Sequence, residues 1–373
     1  ASEKLYELAV EGDYDLVVVD TPPTRNALDF LDAPKRLAHF LDHRLYKVLL
    51  SPSKGIGRAV NVATQAVMRQ IAKVVGAEVI SDALAFFKAF EGMEDGFKER
   101  AQEVDRLLRE PATSFLLVAS PKADTVAEAL ALVQAQQRTG VPVLVGHHRR
   151  HNPINSSARS IVQDGRLGRV VTANVMCTVL KPDAYFDAAW RRQPGGGPVL
   201  INLIHEIDML RFLCGEITEV QALSSNAVRG FAVEDTAAAV LRFASGALGT
   251  VVLSDATASP WCWDFCAAEQ DQYPRQDVQS HFIAGTHGSL SLPDLALWNY
   301  RGERSWHAEM TLEKTFVHKA DAYSRQLQHF AAVIEGREAP LCSAVDGLRT
   351  LQATLAVAEA ARSGQAVSCT LPG

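Results

Sequence analysis

At 373 residues the chain is long enough for two or three domains, each with a core of its own. With 47% hydrophobic and 21% charged residues and a net charge of −6, the composition is globular and mildly acidic. That balance argues against a nucleic-acid footprint and against a basic membrane-binding face, and no apolar run of membrane-spanning length is present.

The six cysteines, at 177, 214, 262, 266, 342 and 369, are scattered. Cys262 and Cys266 lack the second cysteine or histidine pair that a structural zinc needs, so reduced, mostly buried thiols in a cytoplasmic protein and no metal are expected. The first residues show no signal-peptide pattern and no Met, and the opening reads as the middle of something longer.

Residues 3–11 read as a short helix, and Tyr14-Asp-Leu-Val-Val-Val-Asp20 as a buried parallel strand ending in a carboxylate. The stretch 26–108 carries helical periodicity. Phe115 to Ala119 is a second strand, and Thr125-Val-Ala-Glu128 reads as a capping box for a helix over 126–138. Gly140 ends that helix and Val141 to Val145 makes a third strand, giving a β-α-β unit and a parallel sheet with helices on its faces.

From about residue 169 the pattern alternates. Strands are expected over 170–179, 220–226, 237–243 and 248–253, with tight turns at Ser245-Gly246 and His287-Gly288. A helix over 199–213 interrupts them, and helices over 321–335 and 344–362 close the chain. The fold class is α/β followed by α+β: a partial parallel-sheet segment, then a large, mostly antiparallel open sheet with helices.

Phosphate-binding loops are missing. No glycine is followed by lysine, so no Walker loop exists, and neither Gly55/Gly57 nor Gly195/Gly197 completes G-x-G-x-x-G. Ser53 to Ala59 is similar to the loop of short-chain dehydrogenases, yet Ser51-Pro52 stands where an earlier glycine belongs and no Tyr-x-x-x-Lys pair exists. Asp20-Thr-Pro-Pro-Thr24 puts a carboxylate where the water shell of Mg²⁺ beside a nucleotide could be held, although a structural aspartate at a strand end is the plainer reading.

Val145-Gly-His-His-Arg149-Arg150-His151-Asn-Pro153 is a basic loop after a strand, which would face a ligand crevice or form a solvated turn. Gly195-Gly-Gly-Pro198 precedes a helix on which Asn202, His205 and Asp208, spaced by three, share one face. A histidine near neutral pH can carry a proton and a carboxylate can orient its ring; a structural hydrogen bond would use the same pair.

Residues 1–121, through Tyr14 to Asp20, Asp20 to Thr24, Arg25 to Pro34 and Glu91-Gly-Met93, resemble the arsenite/anion-transporting ATPase (ArsA) family. By that resemblance Asp20 is the Mg²⁺-side aspartate, here without a P-loop upstream. From about residue 122 onward the chain resembles the Gfo/Idh/MocA oxidoreductases. Ala123 to Ala129, Val145 to Pro153 and Gly195 to Asp208 carry this resemblance, joined by Val233-Glu-Asp-Thr236, Phe243 to Gly249 and Gly285 to Leu290.

The second resemblance implies hydride transfer between NAD or NADP and a sugar, polyol or inositol-like substrate. His205 would be the catalytic acid/base and Asp208 its assistant; Asn202 would face the substrate, and Arg149, Arg150 and His151 the cofactor. It also implies self-association through the large sheet. Three departures stand against it: the glycine fingerprint is missing, Ser120 occupies the place of the Glu-Lys-Pro lysine, and Ile201 stands where many members carry Asp. The expected parts are thus an ATPase-like fragment (1–121), a dinucleotide-fold remnant (122–146) and a substrate and oligomerisation part (147–373), together an oxidoreductase incompetent as an isolated chain. An anion-transporting ATPase fragment and a non-catalytic assembly module or recombined reading frame are the alternatives.

Overall fold

The computed structural model describes residues 2–14, 17, 94–110, 112–113 and 123–369. The chain divides into two units, Ala1–Phe115 and Leu116–Gly373. In the first, helix α1 (Ser2–Tyr6) passes into a π-helical turn over Glu7–Glu11, and α2 spans Glu94–Leu107, with Leu5, Ala101 and Val104 buried. Of the expected strand at 14–20 only Tyr14 and Val17 are described; the strand at 115–119, Asp20, the 53–59 loop and Ser120 lie outside the described residues.

The second unit opens with α3 (Ala123–Thr139). This helix already includes Ala123 and Asp124, so Thr125 lies within it and not at its start, where the sequence suggested. Val141 to Val145 is not a strand either. Leu144 makes one antiparallel bridge to Ser343, Val145 N–H donates to Cys342 O at 2.8 Å, and Val141 is 60% exposed. An apolar run reads as a buried strand only if strands flank it, and this one has a loop beside it.

A 3₁₀ turn (His148–His151) leads into α4 (Pro153–Gln163), where Asn152 Oδ1 accepts from Ile154 N–H at 2.9 Å and Pro153 occupies the first turn. Next come β1 (Val170–Thr178), α5 (Ile204–Cys214), β2 (Ile217–Ser225), β3 (Thr236–Phe243) and β4 (Leu248–Ser254). The short α6 (Trp263–Ala267) precedes β5 (His281–Gly285), β6 (Gly288–Leu292), β7 (Ala296–Asn299) and β8 (Thr311–Lys314). Helices α7 (Ala322–Ile334) and α8 (Ala344–Ser363) and the short β9 (Val367–Ser368) finish the unit.

The nine strands form one open sheet in the order β8-β7-β6-β5-β1-β4-β3-β2-β9. Only β1 and β4 run parallel. Strict alternation explains why these strands were readable: along β3, burial switches at every residue from Ala237 to Phe243. The turn at Ser245-Gly246 uses φ +85° at the glycine, which side chains disfavour. Helix α8 begins with a full capping box between Ser343 and Asp346 and ends at Gly364 in the left-handed region.

One face of the sheet packs on α5 and α8, burying Leu203, Ile207, Leu210, Val251, Leu253, Ile283 and Val357 in a single core. A smaller cluster joins Val133 of α3 to Ala344 and Leu348 of α8. The outer face keeps Leu223, Val240, Val252, Phe282, Trp298 and Leu312 exposed. Strand register places these six on the same side. No helix among the described residues is long and apolar enough to cross a membrane.

Candidate active site

Local backbone sets the stage. The glycines before α5 are required by close approach: a Cβ on Gly196 would lie 2.2 Å from Trp190 O, and one on Gly197 would lie 2.3 Å from Glu234 Oε1. Gly195 takes φ +88°. Glu234 Oε1 accepts from Val199 N–H at 3.1 Å, tying the loop to the start of the helix. Residues Val199–Leu203 form a π-helical turn before the regular turns of α5 begin. A π turn re-aims side chains that an α-helix would stack, and such turns are frequent at functional sites. Asn202 lies within the π turn and His205 in the first turn of α5, while Asp208 is one turn further on.

The basic loop does not face solvent. Arg149, Arg150 and His151 are all buried. Arg149 Nη1 donates to Glu206 Oε1 at 2.7 Å and Nη2 to Asp264 Oδ1 at 3.3 Å, with Glu269 at 3.9 Å from Nε. Arg150 grips Asp208 with two bonds, Nε to Oδ2 at 2.9 Å and Nη2 to Oδ1 at 2.7 Å, and donates Nη1 to Leu341 O. Thr350 Oγ1 also donates to Asp208 at 3.0 Å. Burial by itself would raise the Asp208 pKa; His147, Arg150 and Thr350 together hold it below the ordinary value.

Glu206, between His205 and Asp208, was not singled out in the sequence. It is fully buried, and its second oxygen meets His281 Nε2 at 2.8 Å. Desolvation opposes its charge, but Arg149 and His281 overcome this and bring its pKa down to about 2. Glu269 accepts from Asn152 Nδ2 at 2.7 Å and from Trp263 Nε1 at 3.1 Å. The signal for Glu206 was present in the run His-Glu-Ile-Asp; its partners, 57 and 75 residues away, were invisible.

His205 is differently placed. Its ring meets His148 edge to face at 5.7 Å, and His148 stacks on Tyr323 at 4.6 Å. Among the described residues neither ring nitrogen of His205 has a hydrogen-bond partner, and no bond joins it to Asp208. Burial, followed by Arg149, His147 and His148, lowers its pKa to about 3. The imidazole is therefore neutral at pH 7, with its nitrogens open to a ligand.

Asn202 is held by a residue the sequence reading passed over. Lys181 Nζ donates to Asn202 Oδ1 at 2.7 Å and stands 3.6 Å from Asp255. Burial lowers the Lys181 pKa and Asp255 acts against that. The available clue was Lys181-Pro-Asp at the end of an alternating strand.

Two bound groups can be tested against this arrangement. His147, Asp208 and Cys342 each offer a donor atom within 4.8 Å of the others. The Arg150 guanidinium already fills both Asp208 oxygens, however, and its charge repels a cation. A dinucleotide pyrophosphate needs unneutralised cations or converging amides. Arg149 is faced by three carboxylates and Arg150 is paired in bidentate fashion, so these residues do not fit a phosphate.

Removing one member of a buried pair strands the other charge, which costs about 3–5 kcal/mol. Asp208→Asn is expected to destabilise the second unit by that amount, and Arg150→Met with Asp208→Leu to recover most of it. All five tryptophans lie beyond residue 116, so urea unfolding followed by their fluorescence reports this unit alone. The histidines set an acid limb. His205 and His151 titrate at about 3 and about 4 when folded, against an ordinary 6.5 when unfolded. The stability tied to their neutral forms is whole above pH 6.5 and is lost as pH falls toward 4 and then 3. Melting temperature should fall over that window, and less steeply in His205→Gln.

Residues 156–291 match the family model of the GFO/IDH/MocA C-terminal domain, and residues 1–145 match that of the anion-transporting ATPases. A 1,5-anhydro-D-fructose reductase of Ensifer adhaerens is 28% identical over 270 residues, covering 68% of this chain and 72% of that protein. A scyllo-inositol 2-dehydrogenase (NAD(+)) of Bacillus subtilis strain 168 is 24% identical over 258 residues, covering 68% and 70%. The fold is shared with the WlbA dehydrogenase of Bordetella pertussis, solved with NADH and UDP-GlcNAcA (TM-score 0.52, 23% identity, 68% of this chain and 71% of that one). It is shared too with a levoglucosan dehydrogenase in complex with NADH (TM-score 0.54, 19% identity, 68% and 72%). The chain thus resembles the Gfo/Idh/MocA oxidoreductases over its C-terminal two thirds and the anion-transporting ATPases over its N-terminal part.

Proposed function

We propose that residues 147–373 are the substrate and assembly part of a Gfo/Idh/MocA-type oxidoreductase acting on a sugar, polyol or inositol-like molecule. The observation that carries this reading is His205: a neutral, half-buried imidazole with both nitrogens unpartnered, one turn beyond Asn202. In that state it can accept the proton of a substrate hydroxyl, which suits oxidation of an alcohol, while Asn202 and Lys181 hold neighbouring oxygens. With a pKa of about 3 its affinity for that proton is low until a bound ligand changes its surroundings. Asp208 acts at one remove, by fixing Arg150 and with it the turn against which His205 leans.

We assign residues 122–146 to the same part, as the remnant of a dinucleotide fold, because α3 packs on α8 and Val145 pairs with Cys342. Residues 1–121 are the ATPase-like fragment. Sequence similarity to NAD(P)-dependent relatives makes a nicotinamide the expected cofactor, but Arg149, Arg150 and His151 offer no free charge to its phosphates. The hydride-accepting half of the reaction falls to other residues, and the free, mostly buried thiols fit a cytoplasmic setting.

Titration with NADH and NADPH, followed by nicotinamide fluorescence, is expected to show no saturation below about millimolar. Saturation at micromolar concentrations contradicts this. A sugar or polyol should raise the tryptophan-reported melting temperature, and His205→Asn should weaken that binding by about ten-fold, the loss of one good hydrogen bond.

The apolar outer face of the sheet supports self-association with a second copy. Trp298→Glu or Phe282→Glu should convert an oligomer to a monomer in size-exclusion chromatography with light scattering. A wild-type chain that runs as a monomer rules the interface out.

A further inference from the structure

Cations in this unit fall into two groups. Arg149 and Arg150 are matched or outnumbered by carboxylates. Among the described residues Lys181 and Arg191 are less fully matched. Lys181 meets Asp255 at 3.6 Å, a carboxylate that it shares with Arg229 and that lies closer to Arg229 Nε, at 3.0 Å. Arg191 has no carboxylate within ion-pair distance among the described residues. Its Nη1 donates to the Tyr185 carbonyl at 2.6 Å, and its Nε is buried with no partner at all.

The two cations share one aromatic ring. Arg191 Cζ lies 3.8 Å and Lys181 Nζ 4.7 Å from the Tyr185 ring centroid. Lys181 reaches from there to Asn202, on the π turn that leads to His205. Unmatched positive charge, partly shielded from water, thus borders the proposed substrate position on a chain whose net charge is −6. Partial burial strengthens such charges and leaves them seeking an anion.

We infer that Lys181 and Arg191, with Asn202 between Lys181 and His205, form an oxyanion subsite, and that the substrate is a polyol bearing a carboxylate or a phosphate. This rests on the reading of His205 and Asn202 as the substrate site. The oxyanion accepts from the Lys181 ammonium and the Arg191 guanidinium, which leaves the hydroxyl-bearing carbons toward His205. Arg191 and Lys181 act here as specificity residues and carry no proton in the reaction.

Isothermal titration of the full chain with gluconate, glucose 6-phosphate and sorbitol tests it. At least one of the two anions is expected to bind about ten-fold or more tighter than sorbitol, the worth of one charge-assisted hydrogen bond, and to weaken as salt is raised. The tighter of the two identifies the group as carboxylate or phosphate. Arg191→Gln should bring that anion down toward the affinity of sorbitol, leave sorbitol itself unchanged, and lose the salt dependence; Lys181→Gln should weaken the anion more than it weakens sorbitol, while Lys181→Arg keeps the preference. Tryptophan-reported melting checks that each variant folds, and if Lys181→Gln does not, Arg191→Gln decides. Equal affinity for all three ligands overturns the oxyanion subsite and leaves the polyol site standing; binding of none of them overturns both.

Discussion

Two arginines placed side by side in a buried turn cannot remain unpaired, and the second unit is organised around that requirement. Arg149 takes Glu206 and Arg150 takes Asp208, from positions two apart on one helix. The desolvation of such groups is large, and the pairs return it only while their geometry holds. The turn at 148–151 is thereby fixed against α5, and His205 is carried into place by the residues that follow it. Further pairings spread the constraint: Glu206 reaches His281 on β5, and Asp208 reaches Thr350 on α8. Sheet, turn and both core helices meet at these two carboxylates.

The consequence for chemistry is a division of the site by charge. On one side Arg149 and Arg150 have their counter-ions, and burial lowers the pKa values of His151 and His205. On the other, at Lys181 and Arg191, positive charge is left over. A group that must bind phosphate finds nothing on the closed side. A polyhydroxylated molecule finds on the open side an amide, an ammonium and an imidazole with free nitrogens. The glycine loop at 195–197 and the π turn after it serve this arrangement by letting the backbone at Gly196 pass the Trp190 carbonyl at a distance no side chain would allow.

Much of the fold was legible because its sheet has one buried face. Alternation along β1 to β4, the glycine at 246, and the Ser343 and Gly364 caps of α8 each have a local cause that sequence displays. Residues 141–145 were misread for the opposite reason: whether an apolar run is a strand is decided by its neighbours, and here the neighbour is the loop at 342–343. The site was half legible. Asn202, His205 and Asp208 were found by spacing, but spacing could not tell that a π turn separates the first from the others, nor that Asp208 faces an arginine. Arg149, Arg150 and His151 looked like ligand-facing residues since basic side chains are seldom buried; for the two arginines the acids that make burial tolerable lie more than 50 residues further along the chain. Lys181 was overlooked because a lysine after a strand is ordinary until its contact with Asn202 is seen.

The proton-accepting role of His205 depends on its protonation state. Carbon and nitrogen shifts of its imidazole, followed by NMR through a pH titration with His205→Gln as the assignment control, measure that state directly. A ring that stays neutral from pH 7 down to about 4 is predicted, from its value of about 3. Protonation near 6.5, the behaviour of a solvated histidine, would contradict it and remove the basis for the site.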